Sequence, residues 1–140
     1  MKQDMLANCQ KIVGELAGVE KLAPGVVEAY GKKMTDRING MLEKFNVSIT
    51  PTDIVREVGI FAERCDISEE VVRLQNHLGQ FNSVVEEPQS NGKKLEFLVQ
   101  EMLRETNTIG SKANDSDIAR HVVEMKTAIE RIREMVQNVE

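Results

Sequence analysis

From Ile118 onward, Val122, Met125, Ile129, Ile132, Val136 and Val139 follow one another by alternating steps of four and three. Only a helix satisfies that spacing, because about 3.6 residues per turn brings those positions onto one stripe, whereas a strand would scatter them over both faces. Seven apolar side chains in this register make a coiled-coil-like seam. Two partners fit it: the core of the same domain, or that core together with another subunit. Its length leads us to expect that it holds lobes or subunits together.

The rest of the chain carries the same period. Leu6, Cys9, Val13 and Leu16, then Tyr30, Met34, Ile38, Met41 and Phe45, form an amphipathic stripe over residues 3–45. Pro24-Gly25 interrupts it, and proline both removes a backbone donor and crowds the preceding turn. Residues 1–49 are therefore expected to form a helical hairpin or one bent helix. Thr50-Pro51-Thr52-Asp53 reads as a helix start, with a hydroxyl cap, proline in the first turn and an early acid; that helix should end near Arg64. Asp66-Ile67-Ser68-Glu69 offers the next start, with Glu69 placed to reach back as in a capping box, and this helix should continue to about Val85. Pro88 and the Ser90-Asn91-Gly92 run predict a surface loop over 86–91. A helix resumes near Lys93 and reaches Ile109 or beyond, and the last begins among Asn114, Asp115 and Ser116. Aromatic residues make up 4% of the chain, with no Trp, so Val, Ile, Leu, Met and Ala must build the core, which favours helix packing over a sheet. The expected fold is all-α: an elongated domain of about five to six helices, ending in the long heptad-patterned one, with residues 50–140 as a second region after 1–49.

Apolar runs last only three or four residues, far short of the roughly 20 that a bilayer crossing needs. No charged-then-apolar leader opens the chain, so we expect a cytoplasmic protein without a membrane span. Cys9 and Cys65 lack a neighbouring Cys or His at ligand spacing, which excludes a zinc or redox-pair reading and leaves both as packing residues. A net charge of −5 argues against a general basic surface for nucleic acid. Any polyanion contact must then be a local site or one assembled between chains.

Two of the expected helices gather polar groups on one face. Glu70, Arg73 and His77 fall within about 60° of one another. Glu101, Arg104, Glu105, Thr108 and Lys112 share a face opposite Leu95, Leu98, Met102 and Ile109. Such faces are ordinary on surface helices, where i, i+4 ion pairs form in water. They also fit another chemistry, in which carboxylates and a histidine converge to hold a hard cation such as magnesium or manganese while arginine and lysine hold phosphate; histidine is also able to move protons near neutral pH. His121, beside the heptad stripe and without comparable neighbours, reads as structural. The sequence contains no P-loop, no serine or cysteine triad pattern and no glycine fingerprint.

Residues 66–81 (DISEEVVRLQNHLGQF), 92–101 (GKKLEFLVQE) and 104–114 (RETNTIGSKAN) stand in this order, followed by the ending IERIREMVQNVE over 129–140. These motifs resemble the YicC/YloC family of bacterial endoribonucleases, long described as stress-induced proteins. The likeness extends more weakly through residues 1–65. Family members carry a further N-terminal domain, so the chain is expected to be the C-terminal half of such a protein, entered within a helix. Where the family usually has Asn and Gln, this sequence has Leu103 and Met135.

The resemblance implies metal-dependent endonucleolytic cleavage of single-stranded or structured RNA, a manganese or magnesium cofactor, and a ring-like homo-hexamer for the full-length protein. It carries catalytic roles onto Glu70, His77, Glu101 and Glu105, with metal at Glu101 and Glu105 and proton transfer at His77. RNA-phosphate contacts fall on Arg73, Arg104 and Lys112, and polar support on Gln100, Asn107 and Ser111. The C-terminal half alone is expected to cleave RNA poorly, because a split polar site lacks what would close around the substrate. The rival reading is a non-catalytic helical oligomerisation and RNA-binding module whose catalytic groups lie in the missing N-terminal half.

Overall fold

The computed structural model describes residues 1–45, 50–89 and 91–139, the last without its side chain. The connector 46–49, Ser90 of the expected loop and the Val139 side chain of the stripe lie outside the described residues. Five α-helices follow in order: α1 (Lys2–Phe45), α2 (Pro51–Arg64), α3 (Ser68–Glu86), α4 (Gly92–Ala113) and α5 (Ser116–Val139). The described residues hold no strand, and no helix among them is long and apolar enough to cross a membrane.

The stripe on α5 is the centre of the core. Ile118, Val122, Met125, Ile129, Ile132 and Val136 are each at most 5% exposed, and α5 packs against both α1 and α4. Burying each such side chain contributes about 1.5–3 kcal/mol. Of the two partners left open for this seam, the chain's own core takes its described side chains, and side chains already out of water have little apolar surface left to offer elsewhere. Glycines mark where α5 is crossed. A Cβ on Gly18 of α1 would lie 2.5 Å from the His121 ring, and one on Gly110 of α4 would lie 3.2 Å from Val122. His121 Nδ1 also stands 2.5 Å from Glu15 Oε2, so this histidine ties α5 to α1, with a neighbour that its own helix did not reveal.

From α1 the core receives Met5, Cys9, Ile12, Leu16 and Val19. The buried face is turned slightly from the expected stripe, with Ile12 inside and Val13 44% exposed. Burial pushes the Cys9 thiol up to about 12 and raises that of Cys65 as well; both are free and buried, as expected of packing residues. α1 does not fold back at Pro24 but continues as one helix to Phe45. Interrupting a helix with proline costs about 3 kcal/mol, and contacts on either side outweigh it: Val19 lies in the core, and the Tyr30 ring stacks on Phe61 of α2 with centroids 3.7 Å apart.

Helix starts follow the local chemistry with one exception. Thr50 caps α2 by accepting from the Asp53 N–H at 3.3 Å, with Pro51 in the first turn. Asp115 Oδ1 accepts from the N–H groups of Asp117 and Ile118, each at 3.0 Å, to start α5. The capping box expected at α3 does not form. Asp66 instead accepts from the Ser68 N–H and hydroxyl, which holds its carboxyl below the usual range, and Glu69 turns to Arg73. Asn114 ends α4 in the left-handed region, at φ 30°, a conformation that asparagine tolerates better than most residues.

Replacing Ile129 and Ile132 together by Asp should unfold the chain, since unpaired charge in a core costs several kcal/mol against a typical total stability of about 5–15 kcal/mol. Circular dichroism reads the result directly; a variant that keeps its helical spectrum would contradict the placement of the seam.

Candidate functional site

α3 and α4 run antiparallel, because the ion pairs across them join early residues of one to late residues of the other: Glu70 to Lys112 and Arg73 to Glu105. The register is fixed from beneath. Val71, Leu74, Leu78 and Phe81 of α3 and Leu98, Met102 and Ile109 of α4 all enter the core. Residues one step around each helix then face each other at the rim of the core, where Glu70 and Glu105 are only 3% and 4% exposed.

Glu70 Oε1 accepts from Lys112 Nζ at 2.7 Å, while its Oε2 is buried with no partner among the described residues. The hydrogen bond to Glu70 holds the Lys112 ammonium above the ordinary lysine value, and the charges of Glu69 and Asp66 add to it. Lys112 is therefore a fixed cation at neutral pH and unsuited to act as a base. Arg73 donates to Glu69 one turn earlier on α3 and approaches Glu105 Oε2 across the groove at 3.8 Å. Next along the rim, donor atoms of His77, Glu101 and Glu105 all lie within 4.8 Å of one another. His77 Nδ1 is buried and has no hydrogen-bond partner among the described residues.

The structure thus brings together Glu70, Arg73, His77, Glu101, Glu105 and Lys112. It leaves Gln100, Arg104, Asn107 and Ser111 exposed on the next stripe of α4, where the Ser111 hydroxyl donates to the Thr108 carbonyl. Arg104 has no side-chain ion pair among the described residues, whereas Arg73 and Lys112 are both paired. Leu103, the departure beside Arg104, packs partly onto the core, as does Met135. Sequence reasoning allowed carboxylates and a histidine to converge but assigned metal to Glu101 and Glu105 alone and proton transfer to His77; the structure places His77 beside both glutamates. The signal was present in its spacing, since His77 is one turn beyond Arg73, but the register between helices was needed to use it.

Chemically, an imidazole and two carboxylates held at one place are a donor set that could hold a divalent cation. The surrounding rim carries Asp66, Glu69, Glu70, Glu101 and Glu105 against Arg73 and Lys112, so carboxylates outnumber cations. Lys112→Met should leave Glu70 buried and unpaired and cost about 1–3 kcal/mol in urea unfolding. Adding Glu70→Leu to it should recover most of that loss, because removing both partners of a buried pair is close to neutral. Additive losses in the two single variants and the double would show that the pair is not coupled.

The comparisons with known proteins agree with one another. The family model described as "Endoribonuclease YicC-like, C-terminal" matches residues 19–140. The chain is 39% identical over 140 residues to the probable endoribonuclease YicC of Clostridioides difficile (strain 630), covering all of this chain and 47% of that protein. It is 33% identical over 129 residues to the probable endoribonuclease YicC of Haemophilus influenzae, covering 92% of this chain and 44% of that one. The chain spans about half the length of the curated relatives it matches. It belongs to the YicC-like endoribonuclease family, and aligns with that family's C-terminal region.

Proposed function

We propose that this chain carries the metal-holding part of an endoribonuclease site, with a manganese or magnesium ion bound by His77, Glu101 and Glu105. The convergence of those donors from two helices within 4.8 Å supports this reading. The residues fit such an ion: carboxylate and imidazole suit manganese, and the buried His77 Nδ1 lacks a partner among the described residues. Neighbouring donors on one octahedral ion stand about 3 Å apart, so the trio must tighten slightly, and half-buried Glu101 is able to turn inward. When bound, the cation would offset the negative charge that builds on a phosphodiester as it is cleaved.

The other roles belong to the chain's own side chains. The carboxylates of the rim disfavour a phosphodiester at the trio itself until a cation is present, which makes cleavage, though not RNA binding farther along the groove, conditional on metal. Arg73, anchored by Glu69, reaches Glu105 and fixes where that carboxylate points. Glu70 does the same for Lys112, so it acts as a positioning residue. Arg104, exposed and unpaired among the described residues, is the phosphate contact, and Gln100, Asn107 and Ser111 on its stripe add hydrogen bonds that position a backbone without reading sequence. His77 takes a ligand's role in place of the proton carrier's. The rival reading, an RNA-binding lobe without catalytic groups, draws support from the chain's covering only about half of its relatives.

Replacing His77, Glu101 or Glu105 by Ala should each lower cleavage of a labelled single-stranded RNA by more than the roughly 10–100-fold typical of outer-shell changes. The assay is run with manganese, and with EDTA as control, on this chain joined to the N-terminal half carried by its longer relatives. The Glu101 variant should keep its stability within about 0.5 kcal/mol. If all three variants cleave at the parent's rate, the chemistry lies elsewhere and the rival reading stands.

A further inference from the structure

Beside the trio, the α3–α4 groove changes character. Glu101 is followed one turn back on α4 by Phe97, an i, i+4 neighbour on the same face, and His77 is followed on α3 by Gln80. Phe97 is 58% exposed, the most exposed aromatic side chain on these two helices. Around it the groove is lined by Asn76, Gln80, Ser83 and Lys94. Neither Asn76, Gln80 nor Lys94 is engaged by another side chain among the described residues, and all three are exposed. At the centre of the α3 wall, Gly79 leaves a gap: a Cβ built there meets nothing within 4 Å. The far end closes at Glu87, whose carboxylate is taken by Asn91.

We infer that this groove is a subsite for an unstacked base of single-stranded RNA, seated on Phe97 beside the cleavage site. The chemistry on the page matches that ligand class. An exposed aromatic ring offers a stacking face that every base accepts, carboxamides offer both donors and acceptors for a base edge, and Lys94 offers a point charge for the adjoining phosphate. A base paired within a duplex keeps its faces covered by its neighbours and cannot take this seat. The subsite gives a cleavage centre that otherwise contacts only backbone a preference for unpaired RNA. This inference rests on the proposed metal-dependent cleavage for its purpose, although its binding step does not.

The test uses the chain with a short single-stranded oligoribonucleotide carrying a fluorescent adenine analogue, titrated in EDTA so that no cation contributes. Stacking on Phe97 should change the fluorescence. Phe97→Ala should weaken binding by about fivefold or more, the range that one base–aromatic stack supplies. Phe97→Tyr should bind like the parent and Phe97→Leu like the alanine variant, since leucine keeps apolar bulk but has no π face. Gly79→Leu adds bulk on the groove wall where a Cβ meets nothing within 4 Å and removes a helix-weakening glycine, so it should fold normally and still bind poorly. Wild-type affinity in Phe97→Leu, in Gly79→Leu, or for the same sequence annealed into a duplex would overturn the subsite. Failure of the metal reading would leave these results intact, because they are measured without metal. Failure of the subsite would leave manganese-dependent cleavage intact.

Discussion

Glu70 and Glu105 lie almost entirely out of water at the α3–α4 rim, and a carboxylate in that position is strongly unfavourable unless something compensates it. Each has an answer from the opposite helix. Lys112 closes on Glu70, and Arg73 reaches toward Glu105 from a position anchored by Glu69. Those answers are incomplete: one oxygen of Glu70 and the Nδ1 of His77 are buried without partners among the described residues. A rim built for stability alone would not collect orphaned polar atoms beside excess negative charge, so the same feature that costs stability is the strongest physical reason to look for a ligand there.

The rim exists because the core beneath it is rigid. α5 supplies a continuous apolar stripe, α1 and α4 close on it, and close approaches at Gly18 and Gly110 set where the helices cross. With α4 fixed by α5, α3 docks on α4 through Leu74, Leu78 and Phe81, and the polar residues one step around inherit their register from that docking. The second half of α1 and all of α2 contribute no buried residue. They pair chiefly with each other, through contacts such as the Tyr30–Phe61 stack, and do not shape the site.

Much of this was legible in the sequence, and the failures share a cause. Helix starts at Pro51 and Ser116 were readable because caps act within a few residues, and the membership of the two polar faces was readable because helical periodicity assigns each residue a direction. Periodicity does not say what lies in that direction. It therefore left open whether Ile118 to Val136 met the chain's own core or a second subunit, and it could not show that His77 faces Glu101 and Glu105 across a groove. Pro24 illustrates the same limit in reverse, since a local penalty read correctly was outweighed by contacts distant in sequence. At Asp66, two hydrogen bonds within one turn satisfied the helix start before Glu69 could. The resemblance to the YicC-like family supplied the candidate site residues as a set, and the packing of α3 on α4 separated that set into a converged cluster and an exposed stripe.

The central claim is that His77, Glu101 and Glu105 hold one divalent cation. Crystals of the chain grown with manganese, with diffraction collected at the manganese absorption edge, test it without reference to activity. The account predicts a single strong anomalous peak between the three side chains, with a nitrogen of His77 and an oxygen from each glutamate at about 2.0–2.2 Å from it, and no such peak in His77→Ala crystals grown the same way. A map without a peak at that position, or one in which Glu101 points to solvent while manganese binds elsewhere, would contradict it.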